Sequence, residues 1–293
     1  TPNWLQSKDA AFSLAGLKAR LLYPTFQLGP AGWLIAAVLT IAAALLRFWN
    51  LAHPHELIFD ETYYVKDAYS LWHFGYEREW GDEVDDAFAA GQAQPGPEAS
   101  YVVHPPAGKW LIGAGMALFG YDNAFGWRFT AALAGTLSVL ITFILAAKLF
   151  RSLFLASVAG LLLTIEGHHI VMSRSALLDI FLMLFVLAAF CALVADRSWG
   201  RRRLVTELAA RYRRLTTPEA TDDDRATWKK TITYGPWLGL RPWRLVAGVL
   251  LGVAVSVKLS GLAFVAAFGL LTVWWDANAR KTAGIRRWLP GAV

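Results

Sequence analysis

Residues 125–149 form a 25-residue run whose only charges, Arg128 and Lys148, sit near its two ends. As a helix the run is about 37 Å long, enough to cross roughly 30 Å of hydrocarbon. Lipid offers no partner to a backbone N–H or C=O, so such a run must satisfy its own hydrogen bonds. It shows no period-two alternation, which leaves the helix. Comparable runs at 31–49, 152–165, 176–195, 245–257 and 261–275 give six expected spans. Hydrophobic residues make up 56% of the 293, with 14 Trp, well beyond a soluble domain. The chain is therefore expected to be an all-α integral membrane protein. Its single cysteine, Cys191, falls inside an apolar run, which excludes a disulfide framework within the chain. Residues 1–29 carry Lys8, Lys18 and Arg20 without the apolar core and cleavage site of a signal peptide. They read as a cytoplasmic lead-in holding a short amphipathic helix.

Two long polar segments interrupt the spans. Residues 50–124 form the first, with an acidic patch at Asp82-Glu83-Val84-Asp85-Asp86. Residues 89–99, rich in Ala, Gly, Gln and Pro, read as a flexible excursion. Pro106–Gly120 is apolar, but Lys109 leaves only Trp110 to Gly120, about 16 Å of helix, so this piece is expected to lie along the interface. The second segment, 196–244, contains Arg201-Arg202-Arg203 and Arg211-Tyr212-Arg213-Arg214. With the N-terminus in the cytoplasm and six crossings, 21 of the 28 Lys and Arg fall inside and seven outside. The positive-inside rule favours this arrangement, making 50–124 an outer loop and 196–244 a cytoplasmic one. The net charge of +6 is thereby assigned to membrane orientation and not to nucleic acid.

The same topology brings ionisable groups from separate segments to one membrane face. Asp60 and Glu61 are adjacent carboxylates among the aromatics Phe59, Tyr63, Tyr64, Tyr69 and Trp72. One carboxylate can act as a base while its neighbour positions a partner, and the aromatics can stack on a sugar; a solvated acidic loop is the plain alternative. Arg128, Arg174 and Lys258 each stand near the outer end of a helix, where they either snorkel to lipid or hold a phosphate. Asp179, one turn after Arg174, is expected to hold that arginine or cap its helix. His104, before the Pro105-Pro106 pair, is a candidate ligand for a phosphate or a sugar hydroxyl, with a structural hydrogen bond as the alternative. Glu166 with His168 and His169 loosely resembles metal-ligand spacing, but no further ligand is spaced to complete a site. No metal and no cofactor is expected.

Five motifs in order carry a resemblance: Phe59-Asp60-Glu61-x-Tyr63-Tyr64, His104-Pro105-Pro106-x-Gly108-Lys109, Gly126-Trp127-Arg128, Ser173-Arg174-x-x-Leu177-Leu178-Asp179 and Val257-Lys258-x-Ser260-Gly261. The set resembles the protein O-mannosyltransferase family, bacterial branch. The resemblance implies a GT-C glycosyltransferase fold, a multi-span helical bundle whose large first outer loop contains interfacial helices. It implies inverting transfer of mannose from polyprenyl-phosphate-mannose to Ser or Thr hydroxyls of exported proteins, outside the cell membrane. By position, Asp60 matches the catalytic base and Glu61 its acceptor-positioning neighbour. Arg128 and Arg174 match arginines of the family motifs expected near the donor phosphate; His104, Lys258 and Tyr63 are the further candidates for the donor phosphate and sugar site, with Asp179 and Lys109 as structural support. Membrane lipid and the secretion machinery are the implied surroundings. Family members continue through further spans, so residues 1–293 are expected to be the N-terminal part of one GT-C membrane domain. A related lipid-phosphate-sugar transferase with another acceptor is the alternative enzyme. A transporter or scaffold subunit is the alternative of another class, though a transporter places its charges near mid-membrane and not at one surface.

Overall fold

The computed structural model describes residues 11–24 and 26–289. Among them the regular structure is helical, apart from a lone antiparallel bridge between Arg78 and Ala99. In chain order the helices are α1 (Leu14–Leu21), α2 (Pro30–Phe48), α3 (Glu61–Phe74), α4 (Asp85–Ala89), α5 (Ala107–Phe119) and α6 (Ala124–Phe150). There follow α7 (Leu153–Ile165), α8 (Gly167–Ser173), α9 (Leu178–Leu215), α10 (Asp222–Tyr234), α11 (Pro242–Val257) and α12 (Gly261–Thr282). The described residues divide into two compact units, one of residues 26–189 and 249–264, the other of 11–24, 190–248 and 265–289.

The first unit is built around α6, which packs against α2, α5, α7 and α8. Ala131, Ala132, Ala134, Gly135 and Ser138 are buried along it, and such small residues let membrane helices approach closely. Asn123 starts α6 by accepting from Phe125 N at 3.0 Å, and Arg151 ends it in the left-handed region at φ 52°. Ser152 then caps α7 through Leu155 N, so only a two-residue turn separates the helices. Phe143, Ala146 and Ala147 of α6 form a core with Ala36 of α2 and Ala156 of α7. The polar segment between α2 and α6 folds onto this frame through α3 and α5. A side chain at Gly113 would overlap the Trp72 indole, whose Nε1 donates to Trp110 O at 3.1 Å.

The second unit joins α1 to the later part of α9 and the end of α12 through Leu17, Leu21, Leu204, Val205, Leu208, Ala279 and Ala283. Asp196 and Asp276 bind Arg241 and Arg244 in a four-charge network, with Arg244 Nη2 2.7 Å from Asp276 and Arg241 Nη2 2.6 Å from Asp196.

Among the described residues four helices, α2, α6, α9 and α12, are long and apolar enough to cross a membrane; α7 and α8, bent by 60° at their break, make a fifth if the pair is one span. The expected span 152–165 is thus the first limb of a broken pair, and the expected span 245–257 falls in α11, a 16-residue helix. Two expectations need correction. Residues 196–244 are not a loop: α9 continues through Leu215 and α10 follows. Buried Leu204, Val205, Leu208 and Ala209 recur at helical spacing there, and Glu207 pairs with Arg203 at 3.2 Å and Arg211 at 3.8 Å. Residues 89–99 are not a loose excursion, because Glu79 N donates to Glu98 O, Gly96 N to Glu79 O and Gln92 N to Ala87 O. The acidic patch is partly helical, as α4. Within the lead-in the short helix is α1; residues 1–10 lie outside the described residues.

Candidate active site

Two neighbouring carboxylates part company at the start of α3. Phe59 sits in the left-handed region at φ 53°, uncommon for a large side chain, and turns the chain sharply into the helix. Asp60 is the N-cap residue, and its backbone carbonyl accepts from Tyr63 N and Tyr64 N at 3.1 Å each. Glu61 points into the bundle and is fully buried, whereas half-buried Asp60 lines an open cavity of about 1080 Å³. The helix N-terminus favours a negative charge at that place.

Glu61 is held on both oxygens. Oε1 accepts from Arg128 Nε at 2.8 Å and Ala176 N at 2.7 Å; Oε2 accepts from Arg128 Nη2 at 2.8 Å and Ile58 N at 3.1 Å. The remaining N–H groups of Arg128 reach Leu51 O (3.3 Å), Pro54 O (2.8 Å) and Glu56 O (2.9 Å). A guanidinium has five N–H donors, and all five of Arg128 are engaged within the protein. In place of the free outer cation expected at 128 there is a buried fork joining α6, the 51–58 segment and α3. Arg174 is likewise committed. Its Nη1 donates to Leu46 O (3.1 Å), Arg47 O (3.1 Å) and Trp49 O (2.7 Å), closing the orphan carbonyls at the end of α2. With Arg174 turned to α2, Asp179 does not hold it; Asp179 pairs with Lys258, whose Nζ lies 2.9 and 3.1 Å from the two oxygens.

Lys109 is 1% exposed between Asp67 (2.9 Å) and Glu77 (2.8 Å), which clamps the start of α5 to α3 and the segment after it. Burial pushes both carboxyls upward, and Lys109 opposes the shift. Asp60, Tyr63, His104 and Lys109 all line the one cavity. So does Tyr64, whose hydroxyl stands 3.5 Å from Asp60 Oδ2. That is too long for a strong hydrogen bond and leaves the carboxylate available. Burial, then the nearby charges of Asp60 and Asp179, push Tyr64 up to about 12, so it remains a phenol at neutral pH. His104, its ring 6.0 Å from that of Tyr64, is held below its ordinary value by burial, then by Lys258 and Lys109. Both causes favour its neutral form.

The spacing of Asp60, Tyr64 and Asp67 at i, i+4 and i+7 is the signal that would have joined them on one helical face. The Asp67–Lys109–Glu77 clamp had no such local signal, since its members come from three segments. Glu166 does not converge with the histidines beside it: it caps α8 by accepting from His168 N and His169 N. Among the described residues no three His, Cys, Asp or Glu side chains are grouped to hold a metal ion.

A family model described as dolichyl-phosphate-mannose-protein mannosyltransferase matches residues 37–206, more than half of the chain and all of α3 to α8. The chain belongs to this family. A polyprenol-phosphate-mannose–protein mannosyltransferase of Mycolicibacterium smegmatis (strain MKD8) is 40% identical over 253 residues, 85% of this chain and 43% of that protein. Its namesake from Mycobacterium tuberculosis (strain ATCC 25618 / H37Rv) is 37% identical over 276 residues, 92% of this chain and 47% of that protein. The chain therefore spans less than half the length of these curated relatives. The solved S. cerevisiae protein O-mannosyltransferase Pmt1-Pmt2 complex bound to the sugar donor is similar over 95% of this chain and 33% of that chain, with a TM-score of 0.56 at 21% identity. The fold is thus that of a GT-C-type multi-pass membrane bundle.

Proposed function

We propose that this chain carries the catalytic loop of an inverting mannosyltransferase that moves mannose from polyprenyl-phosphate-mannose to Ser or Thr hydroxyls of exported proteins. The observation that carries the reading is the division of labour at α3. Glu61 is locked by four hydrogen bonds, while Asp60 faces a cavity with no cation among the described residues paired to it. The names of the mycobacterial relatives, and the donor-bound state of the yeast complex, support the same donor and acceptor classes.

In the proposed step Asp60 takes the proton of the acceptor hydroxyl as its oxygen bonds to the anomeric carbon. The bond from that carbon to the phosphate oxygen breaks on the opposite face, and polyprenyl phosphate departs as an anion. One base suffices for inversion, and the leaving phosphate needs charge stabilisation more than a proton. Lys258 is the available cation. Its ammonium has three donors, of which Asp179 takes two, and the side chain is only half-buried. Neutral His104 adds a hydrogen bond, and exposed Tyr63 offers a face for the sugar. Glu61, Arg128 and Arg174 are positioning residues in this reading, and the step requires no cofactor. Lys258→Ala is expected to weaken donor binding about ten- to a hundredfold, the loss of one charged hydrogen bond. Titrating polyprenyl-phosphate-mannose into the variant checks this; unchanged affinity places the phosphate elsewhere. The reading as a whole is tested by mannose transfer to a Thr peptide in membranes.

The setting proposed is the cell membrane, with the N-terminus cytoplasmic, the cavity outside and the secretion machinery at hand to deliver acceptors. The 21-to-7 division of basic residues supports it. A cysteine at Gln92 is expected to react with an impermeant thiol reagent from outside and one at Thr221 is not. The reverse labelling pattern would put Asp60 in the cytoplasm.

A further inference from the structure

The cavity beside Asp60 carries a charge that sugar transfer itself does not require. Its lining includes seven carboxylates and three cations. Each cation is already engaged: Lys109 with Asp67 and Glu77, Lys66 with Asp85 at 2.6 Å, and Arg78 over the Phe74 ring at 3.6 Å. Glu79, Asp82, Glu83 and Asp86 are exposed and line the same cavity, and no ion pair among the described residues involves them. The free charge of the cavity is therefore negative, beyond the single carboxylate that the chemistry uses.

An independent feature lines the same cavity. The chain leaves the Arg78–Ala99 bridge and runs through Tyr101, Val102 and Val103 to His104. Ser100 N still pairs with Glu77 O at 3.0 Å, but the backbone groups of Tyr101 to Val103 find no backbone partner among the described residues. Tyr101 is 89% exposed, and it lines the cavity together with Val103. An unpaired edge with apolar side chains takes up a further strand, because main-chain hydrogen bonds supply affinity and alternate side chains supply selectivity.

We propose that this cavity is the docking groove of the acceptor segment, and that it selects segments bearing Lys or Arg beside the target hydroxyl. The segment lies as an added strand along Tyr101–Val103, its hydroxyl at Asp60 and its cations against Glu79, Asp82, Glu83 and Asp86. The inference rests on the transfer to Ser or Thr hydroxyls proposed above and adds the charge of the segment accepted. Segments rich in Asp or Glu are repelled by the same carboxylates, so selection works in both directions.

The test uses protein expressed from its complete reading frame, in nanodiscs, and three labelled peptides with one Thr core flanked by Lys, Ala or Glu. Binding is read by fluorescence anisotropy and mannose transfer by mass. The Lys peptide is expected to bind at least about tenfold tighter than the Glu peptide at low salt, with the ratio shrinking severalfold at high salt. Asp82→Asn/Glu83→Gln/Asp86→Asn is expected to bring the ratio to about twofold, and Asp82→Lys/Glu83→Lys/Asp86→Lys to invert it. Equal binding of the three peptides, or full discrimination by both triple variants, overturns the inference. Transfer to all three peptides with equal KM overturns it while leaving the transferase reading intact. Selective binding with no transfer to any peptide supports the groove and defeats the transferase reading instead.

Discussion

Asp60→Asn is expected to lower mannose transfer by about 10²–10⁴-fold, the usual contribution of a positioned base, while leaving donor affinity near wild type. The amide keeps the size and most of the hydrogen bonding of the carboxylate and removes its basicity. Among the described residues Asp60 makes no ion pair and meets the Tyr64 hydroxyl only at 3.5 Å, so the fold loses little by the change. Donor affinity is insulated for a further reason: a carboxylate beside a phosphate repels it if it acts at all. The measurement pairs turnover under saturating donor with a separate donor-binding titration. Near-normal turnover in Asp60→Asn removes Asp60 as the base, and a matching fall in donor affinity makes it a binding group instead.

The membrane helices were legible because lipid allows so little else. Runs such as 125–149 state their own length, and α6 covers Ala124–Phe150. The interfacial reading of Pro106–Gly120 rested on Lys109 interrupting an apolar stretch. The structure gives that lysine a physical reason, two carboxylate partners in a buried clamp at the first turn of a 13-residue helix. The long polar segments were read less well, since charge alone does not distinguish a loop from a helix with one wet face. The continuation of α9 through Leu215 depends on Leu204, Val205 and Leu208 finding a core, and that core is supplied by residues about 70 and 190 positions away, such as Ala279 and Leu17.

The candidate site shows the same boundary between what is local and what is not. That Asp60 and Glu61 would diverge follows from adjacency in the chain. Which of them turns inward depends on Arg128, 67 positions later, and on Ala176 N, 115 positions later. For the arginines, residue type and place at a helix end suggested free cations. A guanidinium near a helix end is equally suited to gather orphan carbonyls, and Arg174 does this at the end of α2. Sequence shows the charge, and tertiary structure decides whether a substrate or the backbone receives it.

The largest structural effect is expected at the Glu61–Arg128 pair. Both side chains are essentially buried, at 0% and 1% exposure, and removing one member leaves the other as an uncompensated charge. Breaking such a pair costs about 3–5 kcal/mol. Arg128→Leu adds to this by stranding Leu51 O, Pro54 O and Glu56 O, so it is expected to be worse than Glu61→Gln, which loses the charge and turns an amide NH2 toward the donors of one oxygen but keeps the other oxygen as an acceptor. Arg128→Lys is expected to fall between them, because three donors on a single atom cannot reproduce a five-donor fork. Glu61→Leu combined with Arg128→Leu is expected to be less damaging than the two single changes added together, since no lone charge remains. Thermal unfolding of the detergent-solubilised variants, with membrane yield alongside, reads these effects. Donor binding measured on whatever folds separates the two roles open to Arg128. Wild-type stability of Arg128→Lys with donor affinity lost would return this arginine to the phosphate. A lowered melting temperature with donor affinity retained in the folded fraction makes the pair the brace that turns Asp60 toward the cavity.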